Sequence, residues 1–203
     1  MQQEMTFGGP MRLTTIAKSN NGLITAAQAK TLGIQGARLS EAVRAGILVR
    51  VARGVYCLPD VWEDEFAIAS TRFPKGILSH GTALYLHDMT DRTPERITMT
   101  FPRGYNASSA RGEGVQVKSC QAALIGLGRI ELLTPSGNRV ASYDMERTLC
   151  DLLRGTSAPD VQLVNPAMKA YAESKGKDVG KLLAYAKRLG VLGKVRGYLE
   201  VLL

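Results

Sequence analysis

The feature that most constrains this chain is a change of hydrophobic period at Gly46. Before Gly46, apolar residues recur at helical spacing in three short segments, and after it two β-rich runs, 47–51 and 55–58, flank Ala52-Arg53-Gly54. Three helices followed at once by a short hairpin with an arginine at its tip are typical of a winged helix-turn-helix. In that fold the third helix enters the DNA major groove, and the hairpin reaches the backbone or the minor groove.

The limits of the three helices can be predicted from capping residues and glycines. The first helix begins at Met11 and ends before Asn20. Thr25 can cap the second helix, which stops at Gly33, and the third helix fits residues 35–45. The sequence therefore predicts a winged helix-turn-helix DNA-binding domain over residues 11–59, after a flexible N-terminal arm of residues 1–10.

The third helix and the hairpin carry the candidate DNA contacts. Leu39 and Val43 stand one turn apart and face inward, which turns the charged positions of this helix toward solvent. We expect base or phosphate contacts from the helix, and phosphate or minor-groove contacts from the hairpin. The predicted DNA-binding residues are Gln35, Arg38, Arg44, Arg50 and Arg53. The alternative is a small helical domain with a purely structural hairpin, but such a domain does not require its arginines to share one side.

The distribution of charge favours a polyanionic partner. The chain has a net charge of +8, and residues 11–58 hold seven basic side chains against the single acid Glu41, a net of +6. Residues 169–196 hold eight basic side chains against two acids, again a net of +6. A basic stretch is commonly just a solvated face, but two patches in one chain favour double-stranded DNA as a partner. In the second patch Lys181, Lys187 and Arg188 are candidates for secondary contacts with DNA or with a protein partner.

Beyond a boundary at Pro59-Asp60, residues 60–203 alternate between helical and strand patterns. Helices are expected over about 63–73 and 80–87, and strands within about 96–142. The strands are predicted at Arg96–Phe101, Val115–Cys120, Ile130–Thr134 and Arg139–Ser142, with Arg103–Gly114 as a loop. Helices over about 143–203 follow, starting at Tyr143-Asp144, Asn165-Pro166, Asp178 and Val191. The fold class is therefore α+β, an N-terminal winged helix-turn-helix followed by a mixed α/β C-terminal domain with a helical tail.

We predict no enzyme, cofactor or metal site, because no constellation of catalytic residues is present. His80 and His87 lack the carboxylate or cysteine neighbours of a metal site. Glu146 and Asp151 lie beside Arg147 and Arg154, which favours ordinary surface ion pairing over a nuclease carboxylate pair. The glycine-rich segments lack the spacing of a phosphate-binding loop.

The cysteines and the hydropathy pattern bear on where the protein works. The three widely spaced cysteines, Cys57, Cys120 and Cys150, are predicted to be core thiols, as in a reducing compartment. The chain shows neither a signal peptide nor an apolar run long enough to span a bilayer. We therefore predict a cytoplasmic protein without membrane contact.

Four segments resemble the AbiEi family of antitoxins, from type IV abortive-infection toxin–antitoxin operons. They are Arg44–Tyr56, Leu78–Leu84, Ile97–Pro102 and Asp144–Arg154. The resemblance implies an operon autorepressor that binds inverted repeats upstream of the toxin gene. It also implies a C-terminal domain that counters a nucleotidyltransferase-like toxin, with direct contact between the two proteins left open. The segment 1–10 has no counterpart in this resemblance.

A second hypothesis remains open at this point. The chain could be a free-standing winged-helix regulator whose C-terminal domain senses a ligand or dimerises, for example as a homodimer on DNA. A neighbouring reading frame for a nucleotidyltransferase-like protein would favour the antitoxin, and its absence would favour the regulator. If the antitoxin domain is separable, residues 61–203 should protect cells without binding the operator.

Overall fold

The computed structural model describes residues 8–61, 63–155 and 160–202, with the side chains from residue 11 onward in the first helix. Contacts divide the chain into two units. Unit 1 runs up to Pro74 and includes Leu133–Arg139, and unit 2 comprises Lys75–Leu132 and residues from Val140 onward. Among the described residues, no helix is long and apolar enough to cross a membrane.

Unit 1 is built on a winged helix-turn-helix. Its elements are, in chain order, α1 (Gly8–Ser19), β1 (Leu23–Thr25), α2 (Ala26–Thr31), α3 (Gly36–Arg44), β2 (Val49–Ala52), β3 (Val55–Cys57) and α4 (Glu65–Arg72). The three strands form an antiparallel sheet in the order β1-β3-β2. The helices pack over a core that includes Leu13, Ile24, Leu39 and Leu48. This arrangement confirms the predicted fold of the N-terminal region.

The start of unit 1 differs from the expectation of an arm over residues 1–10. Helix α1 begins at Gly8, so the last three residues of the predicted arm are helical. Residues 1–7 lie outside the described part of the chain. Strand β1 is an addition to the prediction, because Leu23 and Ile24 pair with Cys57 and Tyr56 of the hairpin.

Unit 1 also contains segments on the far side of the predicted boundary at Pro59-Asp60. Asp64 caps α4 by accepting from the Ala67 amide at 3.0 Å, and it is 5% exposed. The same carboxylate accepts hydrogen bonds from Thr134 Oγ1 and from Asn138 Nδ2. A turn from the second half of the sequence is thereby bonded to the cap of α4, which a linear reading of the sequence does not reveal.

Unit 2 combines a mixed sheet with helices. Its elements are β4 (Ile77–Leu78), α5 (Gly81–Leu86), β5 (Thr98–Pro102), α6 (Ser108–Gly112), β6 (Gln116–Cys120), β7 (Arg129–Leu133), β8 (Arg139–Tyr143), α7 (Met145–Leu152), α8 (Val161–Glu173), α9 (Val179–Leu189) and α10 (Leu192–Leu202). The strand order is β6-β5-β4-β8-β7. Strands β5 and β6 are parallel, and β4 is antiparallel to β5 but parallel to β8. The mixed α/β class of the C-terminal region and its helical tail are confirmed.

Three elements of unit 2 differ from the prediction. Strand β4 has only two residues, too few to give a periodic signal, yet it lies in the middle of the sheet. Helix α6 lies inside the predicted loop Arg103–Gly114. Helix α8 begins at Val161, where Asp160 caps the Gln162 amide, and Pro166 lies inside the helix rather than at its start.

Candidate nucleic-acid interface

The turn between α2 and α3 sets the position of the candidate recognition helix. Thr25 Oγ1 accepts from the Gln28 amide at 3.0 Å, and Gln28 Oε1 accepts from the Thr25 amide at 2.8 Å. This reciprocal pair is a capping box, which fixes the first residue of α2. Helix α2 ends before Gly33, whose φ of +76° gives the left-handed turn that leads into α3. The predicted cap and turn are therefore both present.

Helix α3 buries one face and exposes a basic one. Leu39 and Ala42 are buried against the unit 1 core, whereas the arginines are exposed. Arg38 Nη1 donates to Glu41 Oε2 at 2.9 Å across one turn, and Arg44 Nε donates to the Ser40 carbonyl at 3.4 Å. Each guanidinium keeps further donors, because arginine carries five N–H groups. The pair with Glu41 holds Arg38 along the exposed surface of the helix.

Gln35 is the N-cap residue of α3 and is exposed. Its side chain makes no capping hydrogen bond, so its amide is not committed to the helix end. At the start of a recognition helix this side chain is well placed to reach a base edge, since amides pair with adenine.

The wing is the hairpin of β2 and β3, whose tip is Arg53-Gly54. Ala52 pairs with Val55, and Gly54 adopts a φ of +77°, the conformation that such a tight turn requires. The Gly54 carbonyl accepts from the Ala26 amide at 2.9 Å, which ties the tip of the wing to the start of α2. Arg50 and Arg53 are both exposed.

The five residues predicted to bind DNA are thus exposed on α3 and the wing of a single unit. Other exposed basic residues of the winged helix are Arg12, Lys18 and Lys30, on α1 and α2. Glu41, the only acid of residues 11–58, is paired with Arg38. The surface of the winged helix is therefore positively charged, and positive charge is what phosphate binding requires.

In the second basic patch, one candidate residue is paired with acids of its own unit and two are exposed. Lys181 Nζ lies 2.8 Å from Glu146 Oε2 and 3.3 Å from Asp144 Oδ2. Burial lowers the pKa of Lys181, but its hydrogen bonds to Glu146 and Asp144 and the charges of these two carboxylates together raise that pKa to about 12. Lys181 is thus engaged within unit 2, whereas Lys187 and Arg188 are exposed in the last turn of α9. Of these three candidates, Lys187 and Arg188 are the two whose side chains are exposed.

The expectation of ordinary surface ion pairs on α7 is wrong. Glu146, Arg147 and Asp151 are 1%, 0% and 4% exposed, so this helix buries all three of its charged side chains. Arg147 Nε donates to Asp151 Oδ2 at 2.9 Å, and Arg154 Nη1 lies 3.3 Å from Asp151 Oδ1. A spacing of four residues predicts an ion pair but not how deeply that pair is buried, because periodicity does not distinguish a solvent-exposed polar helix face from a buried ion network.

Arg147 is the centre of this buried network. Its Nη1 donates to the carbonyls of Leu124 and Leu127, each at 2.7 Å, and its guanidinium stacks on the Tyr143 ring at 4.2 Å. A Cβ on Gly128 would lie 2.6 Å from the Arg147 Cβ, so this close approach requires glycine. Burial lowers the pKa of Arg147, but the charge and hydrogen bond of Asp151, together with Tyr143 and Cys120, raise that pKa overall. The network holds α7 against the segment before β7 and has an architectural role.

The two histidines lie at the two ends of α5. His80 and His87 flank α5 as its N-cap and C-cap, and His87 Nε2 lies 2.8 Å from the Tyr143 carbonyl oxygen. In the described part of the chain no group of three potential ligands is close enough to hold a metal ion. The three cysteines are buried free thiols, as predicted, and burial raises the pKa of Cys150 to about 12.

Comparison with known proteins finds a family that the N-terminal domain resembles. The fold of unit 1 is that of winged-helix proteins. Residues 11–59 match the family described as "Transcriptional regulator, AbiEi antitoxin". This match confirms the predicted resemblance over the winged helix and supports a regulator role in a toxin–antitoxin system.

A solved structure extends the likeness of the fold. The crystal structure of the RV2827C protein from Mycobacterium tuberculosis matches 95% of this chain and 80% of its own, with a TM-score of 0.59 and 14% identity. At this identity the likeness concerns the fold alone. No curated protein matches the chain.

Proposed function

We propose that this protein is an antitoxin and a transcriptional autorepressor that binds double-stranded promoter DNA in the cytoplasm. The observation that carries the proposal is the winged helix itself, whose exposed α3 face and wing are both basic. Inverted repeats upstream of its own operon are the proposed operator. In this proposal the chain acts by binding, without catalysis, metal or cofactor.

The roles of the arginines follow from their positions. Helix α3 brings Arg38 and Arg44 into the major groove, where arginine can donate two hydrogen bonds to guanine. Arg53 at the wing tip and Arg50 on β2 neutralise phosphates or enter the minor groove. Phosphate contacts position the protein, and base contacts give it specificity.

The antitoxin part of the proposal concerns a nucleotidyltransferase-like toxin from the same operon, in phage abortive infection. It is supported by the family match of residues 11–59, and the amino-acid sequence adds the resemblance of three segments in unit 2 to the same family. Unit 2 has its own core of α7, α8, α9 and α10, in which Leu149, Met168 and Leu182 are buried. Such a core can present a binding surface that does not depend on DNA contact.

The full-length chain can separate the two activities. We expect an Arg44→Ala/Arg53→Ala variant to lose repression of a reporter driven by its own upstream region, because two DNA-binding side chains are removed. The same variant should still restore growth of cells that express the neighbouring toxin gene from an independent promoter. Arg92→Ala removes an exposed arginine from unit 2 and is the control for both assays.

Two results would contradict the proposal. Repression by the double variant equal to that of the wild type would reject DNA binding through the winged helix. Full repression without any protection from the toxin would leave a free-standing regulator, the second hypothesis above.

A further inference from the structure

Helix α10 carries an exposed stripe that its own fold does not explain. Val195 is buried on one side of the helix, while Gly193, Gly197 and Val201 recur every fourth residue on the other. Val201 is 83% exposed, and a Cβ placed on either glycine would have no described atom within 4 Å. Glycine is unfavourable inside a helix, so two glycines on an open face suggest that another backbone approaches there.

A groove of about 670 Å³ adjoins this stripe. Leu153, Tyr198 and Leu202 line it together with the two glycines and Val201, and α8 contributes Asn165 and Lys169. Tyr198 Oη donates to Asn165 Oδ1 at 3.0 Å, and Lys194 Nζ donates to the Leu153 carbonyl at 2.8 Å. These bonds hold the walls of the groove in place. The groove is therefore a formed apolar surface within unit 2.

We propose that a second copy of this chain covers the stripe, with two α10 helices packed antiparallel about Gly197. Gly193 and Val201 are equally far from Gly197, four residues or about 6 Å along the helix on either side. An antiparallel pair therefore places each exposed Val201 at the level of the partner's Gly193, where no side chain obstructs it. A two-fold interface requires one surface to supply both complementary halves, and α10 does so.

The charges on α10 favour the antiparallel arrangement. Glu200 is the only acid within residues 179–202, and it is exposed. About a two-fold axis at Gly197 it lies on the same flank as the partner's Arg196 and within one turn of it. A parallel pair would instead place it at the level of the partner's Glu200, which is repulsive. Such charges select the partner and the register more than they add affinity.

This inference goes beyond the proposed function and does not require DNA binding. A two-fold protein would match an inverted repeat, since operator symmetry mirrors protein symmetry. A small apolar anion bound in the groove would account for Lys169, but it would leave the exposed Val201 and the position of Glu200 unexplained. The second copy is thus the occupant that uses the whole surface.

Sedimentation of the full chain without DNA tests the proposal. We expect a reversible monomer–dimer equilibrium, and a Val201→Glu variant whose dissociation constant is raised by roughly tenfold or more. Val161→Glu is the matched control, because this valine of α8 is 56% exposed and lies outside the stripe. Monomers at every concentration, or equal weakening by both substitutions, would overturn the proposal.

A cysteine at the two-fold axis tests the geometry. Gly197→Cys should give a disulfide-linked dimer on mild oxidation, whereas Val161→Cys should not, and the native cysteines are buried. Glu200→Arg should weaken the dimer, and adding Arg196→Glu should restore it.

The absence of a Gly197→Cys cross-link overturns the arrangement. If the monomer binds anilinonaphthalene sulfonate and Gly197→Met abolishes this binding, the groove is a small-molecule site. That result would overturn the proposal that a second copy occupies the groove. Because neither assay contains DNA, failure here is distinct from failure of the proposed repressor.

Discussion

At the scale of single residues, the polar interior of unit 2 depends on Arg147. Its guanidinium bonds to Asp151 and to two backbone carbonyls while it is fully buried. A buried charge is tolerated only when its hydrogen-bonding groups are satisfied. Removal of this side chain leaves the Asp151 charge buried with one remaining cation, Arg154, which is partly exposed.

We predict that Arg147→Met destabilises the protein by about 3–5 kcal/mol, the usual cost of breaking a buried ion pair by removing one partner. Arg154→Met is the matched control and should cost much less, because Arg154 is partly exposed and Asp151 keeps its bond to Arg147. The free energy of unfolding from urea titration measures both. Equal decreases in the free energy of unfolding for the two variants would show that the burial of Arg147 does not determine its contribution to stability.

His80 should make stability sensitive to acid. Burial lowers the pKa of His80 to about 4, with the charges of Lys118, Arg147 and Arg154 acting in the same direction against that of Asp151. Thr100 Oγ1 donates to Ser79 Oγ, whose hydroxyl can then donate to His80 Nδ1 at 3.1 Å only while that nitrogen is unprotonated. The folded protein therefore holds this imidazole neutral.

The sign of the pH effect follows from these pKa values. The unfolded chain, with a pKa near 6.5, binds a proton between about pH 6.5 and 4 that the folded chain does not. Stability should therefore decrease as the pH falls through this range. His80→Asn removes the titrating imidazole and should reduce the difference between urea midpoints at about pH 7 and about pH 5. An unchanged difference would exclude His80 as its source.

At the scale of elements, the cap of α4 connects distant parts of the sequence within unit 1. Asp64 receives hydrogen bonds from the Ala67 amide, from Thr134 and from Asn138. Asn21 Nδ2 also donates to the Gly137 carbonyl at 2.9 Å, so the same turn is bonded to the end of α1. The winged helix is thus stabilised by a turn that lies more than one hundred residues away in sequence.

We predict that Asp64→Ala destabilises unit 1 by about 2–3 kcal/mol, through loss of a helix cap and of bonds to two buried side chains. Asp60→Ala is the control, because Asp60 is exposed and has no such role. Chemical denaturation followed by circular dichroism gives both values. A cost for Asp64→Ala no larger than that for Asp60→Ala would show that the turn does not stabilise the unit.

The elements that the sequence predicted well are those with local signals. Thr25 and Gly33 delimit α2 because capping and turn chemistry act within a few residues. No local pattern predicts strand β4, because its two residues are stabilised by β5 and β8, which are distant in sequence. Asn165-Pro166 predicts the start of α8, since proline favours the first turn, yet the helix begins earlier, after its cap Asp160.

The candidate site follows the same rule. The exposure of Arg38, Arg44 and Arg53 could be predicted because helical periodicity and hairpin geometry determine which side chains face outward. The pairing of Lys181 with Glu146 could not, since it joins two helices whose packing no local pattern encodes. The burial of Arg147 was missed for the same reason.

At the scale of the whole molecule, two units share one chain, and both the winged helix and the helical tail are basic. The predicted domain boundary at Pro59-Asp60 remains a prediction, although unit 1 continues to Pro74. A fragment of residues 61–203 would therefore carry α4 without the strands β2 and β3 against which it packs. Point variants of the full chain test function more cleanly than truncation.

Specificity should reside in α3. We predict that Arg38→Ala weakens binding to the operator by about 1–3 kcal/mol and relaxes selectivity at one base position, if this arginine pairs with a guanine. Fluorescence anisotropy with a set of single-base operator variants measures both effects. A uniform loss across all variants would instead assign Arg38 to a phosphate.

The salt dependence of DNA binding tests the central claim most directly. Binding of the full chain to its own upstream DNA is measured over a salt titration for the wild type, Arg44→Ala, Arg53→Ala and the control Arg92→Ala. We predict that Arg53→Ala, in the wing, reduces the slope of log binding constant against log salt concentration by roughly 0.9 for each phosphate that it no longer neutralises. Arg92→Ala should leave slope and affinity unchanged. Slopes and affinities equal to those of the wild type in both Arg44→Ala and Arg53→Ala would contradict DNA binding through the winged helix.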